Sequence, residues 1–305
     1  MVRPRIGQGV VVDVPATTAN LGPGFDCLGA ALDLNNRFEM RCIEGDGERF
    51  ELVIEGSEGA HLRGGPDNLV YRAAQRVWKE AGEQPIAVEA RVRLAVPPAR
   101  GLGSSATAIV AGLMGANALI GEPLSREKLL ELAIDIEGHP DNVAPAVYGG
   151  FVAALSDPPL AIPLPRPEGV RFVLAVPPYE VPTPLAREAL PREVPLEDAI
   201  YNLARSALWP AALSSGRLEA LREACRDRLH QPHRAHLMPG VLEAIEGALE
   251  AGALAAFVGG AGPTLAALAR AGEEAPVIRA LSAYRGPEGR TLVLGIGEGY
   301  FWKET

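Results

Sequence analysis

One short segment constrains this chain more than any other, because it places two glycines and two serines where a strand gives way to a helix. The segment consists of Pro97, Pro98, Ala99, Arg100, Gly101, Leu102, Gly103, Ser104, Ser105, Ala106 and Thr107. Glycines let the backbone approach a ligand closely, and the first N–H groups of a helix lack intrahelical partners. The segment therefore predicts a phosphate-binding turn. A small-residue turn that packs a helix tightly on a sheet is the structural alternative.

This turn is not a Walker loop. Gly-x-x-x-x-Gly-Lys is missing, and the chain has only three lysines, Lys79, Lys128 and Lys303, all distant in sequence. The hydroxyl of Ser104 or Ser105 is nevertheless suited to a magnesium ion, as the Ser/Thr hydroxyl of a Walker loop is.

The charge and the cysteines narrow the class of protein. The formal net charge is −9 at pH 7, which argues against a nucleic-acid surface. The three cysteines are scattered without metal-ligand spacing, so they fit reduced thiols better than a disulfide framework. The first residues do not read as a signal peptide, and no apolar run reaches membrane-spanning length. We therefore expect a cytoplasmic protein.

Hydrophobic periodicity predicts a mixture of helices and strands. Strands are predicted at 10–14, 37–43, 50–54, 86–96, 149–155, 171–176, 254–258 and 291–296, with 37–43 and 50–54 forming a hairpin. Helices are predicted at 68–81, from the phosphate turn to about 120, at 125–136, across much of 188–250, and at 264–271. Residues 15–24 are predicted to form a loop, and the proline-dense stretch 156–167 is the expected domain junction. The pattern favours two α+β domains over a doubly wound parallel sheet.

Two further clusters place polar groups where packing alone does not require them. In the first, residues 15–26, Asn20 and Asp26 either point into the space that the loop surrounds or bond their own backbone as an Asx turn. In the second, Glu137-Gly-His-Pro-Asp-Asn142, Asp141 and Asn142 either surround a ligand or cap the helix that follows. His139 by itself favours a structural role over a catalytic one.

A third cluster combines Thr183-Pro-Leu-Ala-Arg187 with the distant Arg234. The planar fork of arginine suits a carboxylate or a phosphate held by two hydrogen bonds. Solvated surface arginines are the alternative.

Taken together, these segments resemble the GHMP kinase superfamily and, within it, the homoserine kinases. Residues 15–26 look like the first family motif, and Pro97–Thr107 looks like the second, the ATP-phosphate loop. Residues 259–264 look like the third, a glycine-rich turn that usually begins with serine where this chain has Gly259. The runs 137–146 and 183–187 favour homoserine kinases over mevalonate, galactose or isoprenoid relatives.

The resemblance implies a two-domain α+β GHMP kinase fold. Residues 1–160 would form an ATP-binding domain similar to the second domain of ribosomal protein S5, and residues 161–305 a ferredoxin-like domain. The implied reaction transfers the γ-phosphoryl group of ATP to the side-chain hydroxyl of L-homoserine, giving O-phospho-L-homoserine on the route to threonine. Mg²⁺ and a homodimer are implied as well.

The resemblance also implies roles for individual residues. Arg187 and Arg234 would clamp the substrate carboxylate, Asp26 or Asp141 would meet the ammonium group, and Asn20 and Asn142 would position the hydroxyl. The remaining expected substrate contacts are His139, Thr183, Gly260 and Gly262. Magnesium would be held by Ser104 or Ser105 and by Glu131, whose spacing from Asn142 resembles other members, with Glu137 as the rival.

Several relatives place an aspartate that serves as a base where this chain has Asn142. A neutral amide cannot take a proton, so we expect Asn142, Asp141 and Arg187 to act by positioning and charge stabilisation, with the proton passing to phosphate. Asp141 or Asp26 as a conventional base is the alternative. The competing functions are a kinase for another small alcohol, such as mevalonate or shikimate, a diphosphomevalonate-decarboxylase-like enzyme, and a non-catalytic metabolite sensor.

Overall fold

The computed structural model describes residues 4–55, 59 and 62–305. Its strands are β1 (Gly9–Ala19), β2 (Leu28–Cys42), β3 (Phe50–Glu55), β4 (Val88–Arg93), β5 (Phe151–Ser156), β6 (Pro159–Pro163), β7 (Val170–Val176), β8 (Ala255–Val258), β9 (Leu265–Arg270), β10 (Arg290–Leu294) and β11 (Phe301–Glu304). Its helices are α1 (Leu69–Glu80), α2 (Ser104–Leu119), α3 (Arg126–Glu137), α4 (Pro140–Tyr148), α5 (Thr183–Glu188), α6 (Leu196–Ser215), α7 (Leu221–Ala224), α8 (Gln231–Arg234), α9 (Val241–Glu250) and α10 (Glu274–Arg285). Short 3-10 helices occupy Leu218–Ala220 and Ala235–Leu237.

The first sheet runs in the order β11-β1-β2-β4-β3, and β5 joins it by pairing with β2 and β6. β3 and β4 are parallel, whereas the other pairs are antiparallel. Alternate residues of β1 and β2 enter a core shared with helices α1–α4, among them Val12 and Met40. Gly115 of α2 permits this packing, since a Cβ there would lie 2.4 Å from the sulfur of Met40.

The second sheet has the order β10-β7-β9-β8 and is antiparallel throughout. In chain order its strands are the fourth, first, third and second, and helices precede β8 and β10. This is the ferredoxin-like arrangement that the resemblance implies. Its core meets the first sheet at an aromatic cluster, where Phe151 of β5 lies 5.9 Å from Phe172 and 6.0 Å from Trp209 between ring centroids.

The chain returns to the first sheet at its end, because β11 pairs with β1 from Val10↔Glu304 to Asp13↔Phe301. The second sheet begins only at Val170. The division into domains at residues 1–160 and 161–305 stays a prediction. The strand pairing shows that residues 159–163 and 301–304 belong to the first sheet.

Many of the predicted helices and strands are confirmed, and capping side chains explain where two of the helices begin. The side chain of Asn68 accepts a hydrogen bond from the amide of Val70 at the start of α1, and Ser125 does the same for Lys128 at the start of α3. Helix α2 begins at Ser104, inside the predicted phosphate turn. Among the helices of the described residues, none combines the length and apolar character needed to cross a membrane.

Three element predictions were wrong. β1 continues through the predicted loop to Ala19, with a register shift between Pro15 and Thr17 that absorbs the proline. The hairpin of 37–43 with 50–54 does not form, because β4 lies between them and pairs with β3 in parallel. Alternation of apolar and polar residues identifies a strand, but it does not identify the strand with which it pairs.

The third wrong prediction is the helix at 264–271, which is strand β9. Its alanines and leucines favour a helix by intrinsic propensity. Residues 265–269 are all buried in a strand flanked by β7 and β8, so tertiary pairing overrides the local preference.

Candidate active site

The three glycine-rich segments meet through backbone hydrogen bonds at a cleft of about 850 Å³. The amide of Thr17 donates to the carbonyl of Leu102 at 3.1 Å, and the amide of Gly260 donates to the carbonyl of Ala19 at 3.3 Å. The amide of Thr264 donates to the carbonyl of Arg100 at 3.3 Å. β1, the phosphate loop (Pro97–Thr107) and the turn after β8 are therefore fixed to one another by backbone hydrogen bonds.

Two glycines of the phosphate loop are required by this close approach. Gly103 has a φ of +67°, and a Cβ there would lie 1.9 Å from Oγ1 of Thr17. Gly101 has a φ of +74°, and its Cβ would lie 2.2 Å from the carbonyl oxygen of Gly259. Tight packing and ligand access are thus properties of the same turn rather than alternatives.

The phosphate loop also presents the start of a long buried helix to the cleft. Ser104 and Ser105 form the first turn of α2 and line the cleft. Gly103 precedes them and offers no side chain as a cap. The first N–H groups and the positive end of the helix dipole together favour an anion at this position.

Beside this turn lies the half-buried carboxylate of Glu137. Oγ of Ser105 donates to Oε1 of Glu137 at 2.8 Å. Burial raises the pKa of Glu137 above its ordinary value, although the hydrogen bond from Ser105 opposes the shift. Glu131 is placed differently: its Oε1 lies 2.8 Å from Nζ of Lys128, which also bonds Glu80. Of the two predicted acidic metal ligands, the structure brings Glu137 to the loop and directs Glu131 to this lysine.

A second group of polar and charged residues lines the same cleft and is called the acceptor end; it comprises Asp26, His139, Asp141, Asn142, Arg187 and Arg234. Arg187 donates two hydrogen bonds to Asp26, at 3.0 and 2.9 Å. Nδ1 of His139 lies 2.6 Å from Oδ1 of Asp141. Burial alone would lower the pKa of His139, but this bond to Asp141 raises it above its ordinary value.

Asn142 is held by a neighbouring strand. Its Oδ1 accepts a hydrogen bond of 2.8 Å from Oγ1 of Thr17. The carbonyl oxygen of the amide is therefore engaged, and the NH₂ group is the donor available to a ligand. Neither Asp141 nor Asn142 caps a helix: α4 begins at Pro140 with His139 before it, so both lie in its first turn.

The two predicted arginines lie together although 46 residues separate them in the chain. The guanidinium carbons of Arg187 and Arg234 lie 5.5 and 5.1 Å from the ring centroid of Phe25. Arg234 is only 2% exposed, and its Nε donates to the carbonyl of Ala186 at 2.9 Å. Burial, and then the charge of Arg187, lower the pKa of Arg234 to about 10. The surface-arginine alternative does not hold for Arg234, whereas the side chain of Arg187 is 38% exposed and is held by its ion pair with Asp26.

His230 supports this arrangement from behind, and the sequence reasoning missed it. Its Nε2 lies 2.6 Å from the carbonyl of Gly22, and its Nδ1 lies 3.4 Å from Nη1 of Arg234. Burial lowers its pKa, so the ring is neutral, donates to Gly22 and accepts from Arg234. Its position four residues before Arg234 was the available signal.

Of the other predicted site residues, some line the cleft and some do not. Asn20 shapes the loop, because its amide donates to Gly260 O at 3.0 Å and accepts from the amide of Asp26 at 3.1 Å. Asn20, Thr183 and Gly260 line the cleft. Pro97 lines a separate hollow, and Gly262 faces Met238. Ala106 and Thr107 are buried in α2.

Much of the remaining surface of the cleft is an apolar wall that sequence reasoning did not identify, beside which Arg63, Asp67 and Asn68 also line the cleft. Its residues are Phe38, Leu52, Ile54, Leu62, Leu69, Val70, Val92 and Leu94. They come mainly from β3, β4 and the start of α1. In sequence they look like ordinary strand and helix residues, so no pattern marks them as ligand-facing.

Comparison with known proteins agrees with this geometry. The models of the GHMP kinases N terminal domain and of the GHMP kinases C terminal region match residues 68–150 and 210–286. A homoserine kinase of Thermus thermophilus is 74% identical over 96% of this chain and 98% of its own length. A homoserine kinase of a Synechococcus species is 63% identical over 88% of this chain and 86% of its own length.

Solved structures show the same fold. The crystal structure of homoserine kinase from Cytophaga hutchinsonii matches with a TM-score of 0.88 and 28% identity, and covers 100% of both chains. A putative homoserine kinase from Listeria monocytogenes matches with a TM-score of 0.77 and 30% identity over 96% of this chain and 99% of that one. The three motifs, the two domains and these relatives agree: the chain belongs to the homoserine kinase family of GHMP kinases.

Proposed function

We propose that this protein transfers the γ-phosphoryl group of ATP to the side-chain hydroxyl of L-homoserine, giving O-phospho-L-homoserine in the biosynthesis of threonine. The observation that carries the proposal is the acceptor end, where two arginines and two carboxylates line the same cleft as the phosphate loop. A free amino acid carries both charges at neutral pH. Arginines for one end and carboxylates for the other recognise both at once.

The phosphate loop is the proposed site for the ATP phosphates. N–H groups of Ser104, Ser105 and Ala106 would donate to phosphate oxygens at the positive end of α2. The apolar wall would receive the nucleotide base, since pockets for planar rings are lined mostly by apolar side chains with a few polar groups.

Ser105 and Glu137 are the proposed magnesium ligands, with Ser104 as a second hydroxyl at the same turn. Mg²⁺ prefers oxygen ligands and usually takes one or two carboxylates together with phosphate oxygens. The pair fits, because Glu137 is a half-buried carboxylate that lines the cleft and accepts a hydrogen bond from the hydroxyl of Ser105. Bound there, the ion would neutralise charge on the phosphates. Glu131 is not proposed, since its carboxylate is paired with Lys128.

Substrate binding would replace the internal ion pair of the acceptor end. In this structure Asp26 accepts both hydrogen bonds of the Arg187 fork. The substrate carboxylate would take that fork and the guanidinium of Arg234, and Asp26 would turn to the ammonium group beside Asp141. The charges are therefore in place before binding, which lowers the cost of assembling them.

For the chemical step we propose alignment and charge stabilisation without a side-chain base. The NH₂ group of Asn142 would hold the hydroxyl oxygen in line with the phosphate, and the proton would pass to phosphate. Phosphoryl transfer depends mainly on alignment and electrostatics, because its transition state is loose. Asp141 is the competing base, but His139 already bonds one of its oxygens.

Release of ADP with homoserine, serine, threonine and mevalonate as acceptors tests the substrate. Homoserine alone should support fast turnover. Equal rates with mevalonate would contradict the proposal and favour a kinase for another small alcohol, whereas ATP binding without turnover on any acceptor would favour a sensor.

The base is tested separately, by single-turnover kinetics of Asp141→Asn and Asn142→Asp. Without a side-chain base, Asp141→Asn should slow phosphoryl transfer by less than about a thousandfold when substrate is bound. A larger loss would assign the proton to Asp141.

Family membership also leads us to propose a cytoplasmic location and a homodimer. Cell fractionation and sedimentation of the purified protein test these two points.

A further inference from the structure

Two guanidinium groups, those of Arg187 and Arg234, line the same end of the cleft although like charges repel each other. The repulsion affects Arg234, since the charge of Arg187 adds to burial in lowering its pKa. Arg234 is buried, whereas the side chain of Arg187 is partly exposed, so repulsion would move Arg187 towards solvent. Another group must therefore hold Arg187 near Arg234.

The hydrogen bonds of Arg187 do this only while the acceptor end is unliganded. Among the described residues, its guanidinium bonds Asp26 alone, at 3.0 and 2.9 Å. In the proposed function Asp26 turns from Arg187 to the ammonium group of the substrate. Without a further contact, the substrate would have to bring the two cations together itself, at a cost in affinity.

The ring of Phe25 supplies such a contact to both cations. The guanidinium carbon of Arg187 lies over the ring at 5.5 Å from its centroid, and that of Arg234 lies over it at 5.1 Å. Both distances fall within the roughly 6 Å range of a cation–π contact. Because the face of an aromatic ring carries negative partial charge, one ring attracts both cations and offsets part of their repulsion.

The backbone around Phe25 fixes the ring in this place. The amide of Gly24 donates to the carbonyl of Asn20 at 2.9 Å, and the amide of Asp26 donates to Oδ1 of Asn20 at 3.1 Å. The ring of His230 packs nearby, 5.2 Å from the ring of Phe25 between centroids. The turn that supplies Asp26 therefore also supplies the ring, and the ring contact does not depend on which partner Asp26 takes.

We infer that Phe25 is a positioning residue for the substrate carboxylate, because its ring keeps Arg187 and Arg234 close enough to bind one carboxylate together. The inference rests on the proposed function, in which these two arginines form the carboxylate site. Phe25 acts through the arginines rather than on the substrate. If the ring served only to fill space, its size would matter and the charge of its face would not.

Stepwise fluorination of Phe25 in the full-length protein separates these two roles. Phenylalanine analogues with one, two or three ring fluorines have a weaker negative face and nearly the same volume. The KM for homoserine should rise with each fluorine, to about tenfold with three, while kcat and the KM for ATP stay within about twofold. The same series at Phe38, in the apolar wall, is the control and should leave the KM for homoserine unchanged. A KM for homoserine that stays constant along the Phe25 series overturns the inference.

Substitution by natural residues gives a second test. Phe25→Leu removes the ring but keeps an apolar side chain, and should raise the KM for homoserine roughly ten- to thirtyfold. Phe25→Tyr keeps the aromatic face and should stay within about threefold of the wild type. Equal KM values for the two variants would show that the aromatic face contributes nothing, and would contradict the inference.

Side-chain NMR of isotope-labelled arginines reports on Phe25 without the use of homoserine. The Nε–H of Arg234 donates to the carbonyl of Ala186, so its exchange with solvent measures how firmly the guanidinium is held. Exchange should be about tenfold faster in Phe25→Leu than in the wild type or in Phe25→Tyr. An unchanged rate overturns the inference. Faster exchange in a protein that does not phosphorylate homoserine would support the role of the ring and contradict the proposed function instead.

Discussion

The acceptor end and the apolar wall belong to the same cleft, yet they are held in place by different forces. At the acceptor end, Asp26 and Arg187 form a two-bond ion pair, and Arg234 is bonded to backbone carbonyls. Along the apolar wall, Leu52 and Ile54 are partly buried strand residues placed by the pairing of β3 with β4. The first region is fixed by directional bonds and the second by the position of a strand.

This difference separates two kinds of recognition. A site of fixed, charged groups discriminates strongly, because a wrong ligand leaves buried charges unpaired. An apolar wall discriminates by about 1–3 kcal/mol per group, because it senses mainly area and shape. We therefore expect substitutions at the acceptor end to affect one substrate sharply, and substitutions in the wall to affect the other mildly.

The largest effect is expected for Arg187→Ala. Loss of the guanidinium fork removes two charge-assisted hydrogen bonds and leaves Asp26 without its partner, so kcat/KM for homoserine should fall roughly a thousandfold. The KM for ATP should change by less than about threefold. Steady-state kinetics with each substrate varied in turn measures both.

Arg187→Lys is the control for charge. A lysine keeps the positive charge but cannot form the planar two-bond contact, so it should recover less than about tenfold. If Arg187→Ala impaired the kinetics for homoserine and for ATP equally, the proposed difference between the acceptor end and the apolar wall would be contradicted.

The junction of the two regions is tested by Gly103→Ala. A Cβ would lie 1.9 Å from Oγ1 of Thr17 in a backbone with φ of +67°, so we expect about 2–4 kcal/mol of lost stability. Gly121→Ala is the matched control, since φ is +83° there but no atom of the described residues lies within 4 Å of the added Cβ. Gly121→Ala should lower the free energy of unfolding by about 1 kcal/mol, through backbone strain alone. Urea unfolding compares the two, and similar losses would show that crowding at the loop is unimportant.

The same contrast explains how far the sequence could predict the site. Asn20, Asp26, Asp141 and Arg187 were identified because polar residues among glycines and prolines have few purely structural explanations. The apolar wall was missed, because Ile54 on a ligand-facing side of a strand looks the same as Ile54 in a core. A residue that is buried against a ligand and a residue that is buried against protein give the same hydrophobic pattern in the sequence.

Long-range pairing accounts for most of the remaining errors. The sequence identified β3 as a strand, but the parallel partner β4 is chosen by contacts across the whole first sheet. The preference for Glu131 over Glu137 as a magnesium ligand stays a prediction, because it depends on which way each side chain of α3 points. Spacing along the chain favoured Glu131, whereas the helix directs Glu137 towards Ser105.

A smaller effect is expected for Ile54→Ala in the apolar wall. Removing about three methylene-sized groups from a partly buried contact should raise the KM for ATP by roughly tenfold, with the KM for homoserine unchanged. Val53→Ala is the control, because Val53 is 39% exposed on the opposite side of the same strand. Fluorescent nucleotide titration gives the affinity directly. If both variants bind nucleotide as the wild type does, the wall is not the base site.

The smallest effect concerns His230, which supports the acceptor end without touching the cleft. Burial lowers its pKa below the ordinary 6.5, so below that pH the unfolded chain binds a proton that the folded protein does not. The free energy of unfolding should therefore fall as the pH drops from about 6.5 to 5, by at most about 1.4 kcal/mol per pH unit.

In His230→Gln this part of the pH dependence should disappear, since an amide does not titrate but can still donate to the carbonyl of Gly22. His233→Gln, at an exposed position of α8, should keep the wild-type slope. Urea unfolding at several pH values measures the slopes of all three proteins. An unchanged slope in His230→Gln would mean that the ring accepts a proton in the folded state. In that case the ring of His230 would not accept the hydrogen bond from Arg234. The acceptor end would then have to be fixed by the backbone carbonyls of Ala186 and Gly260 alone.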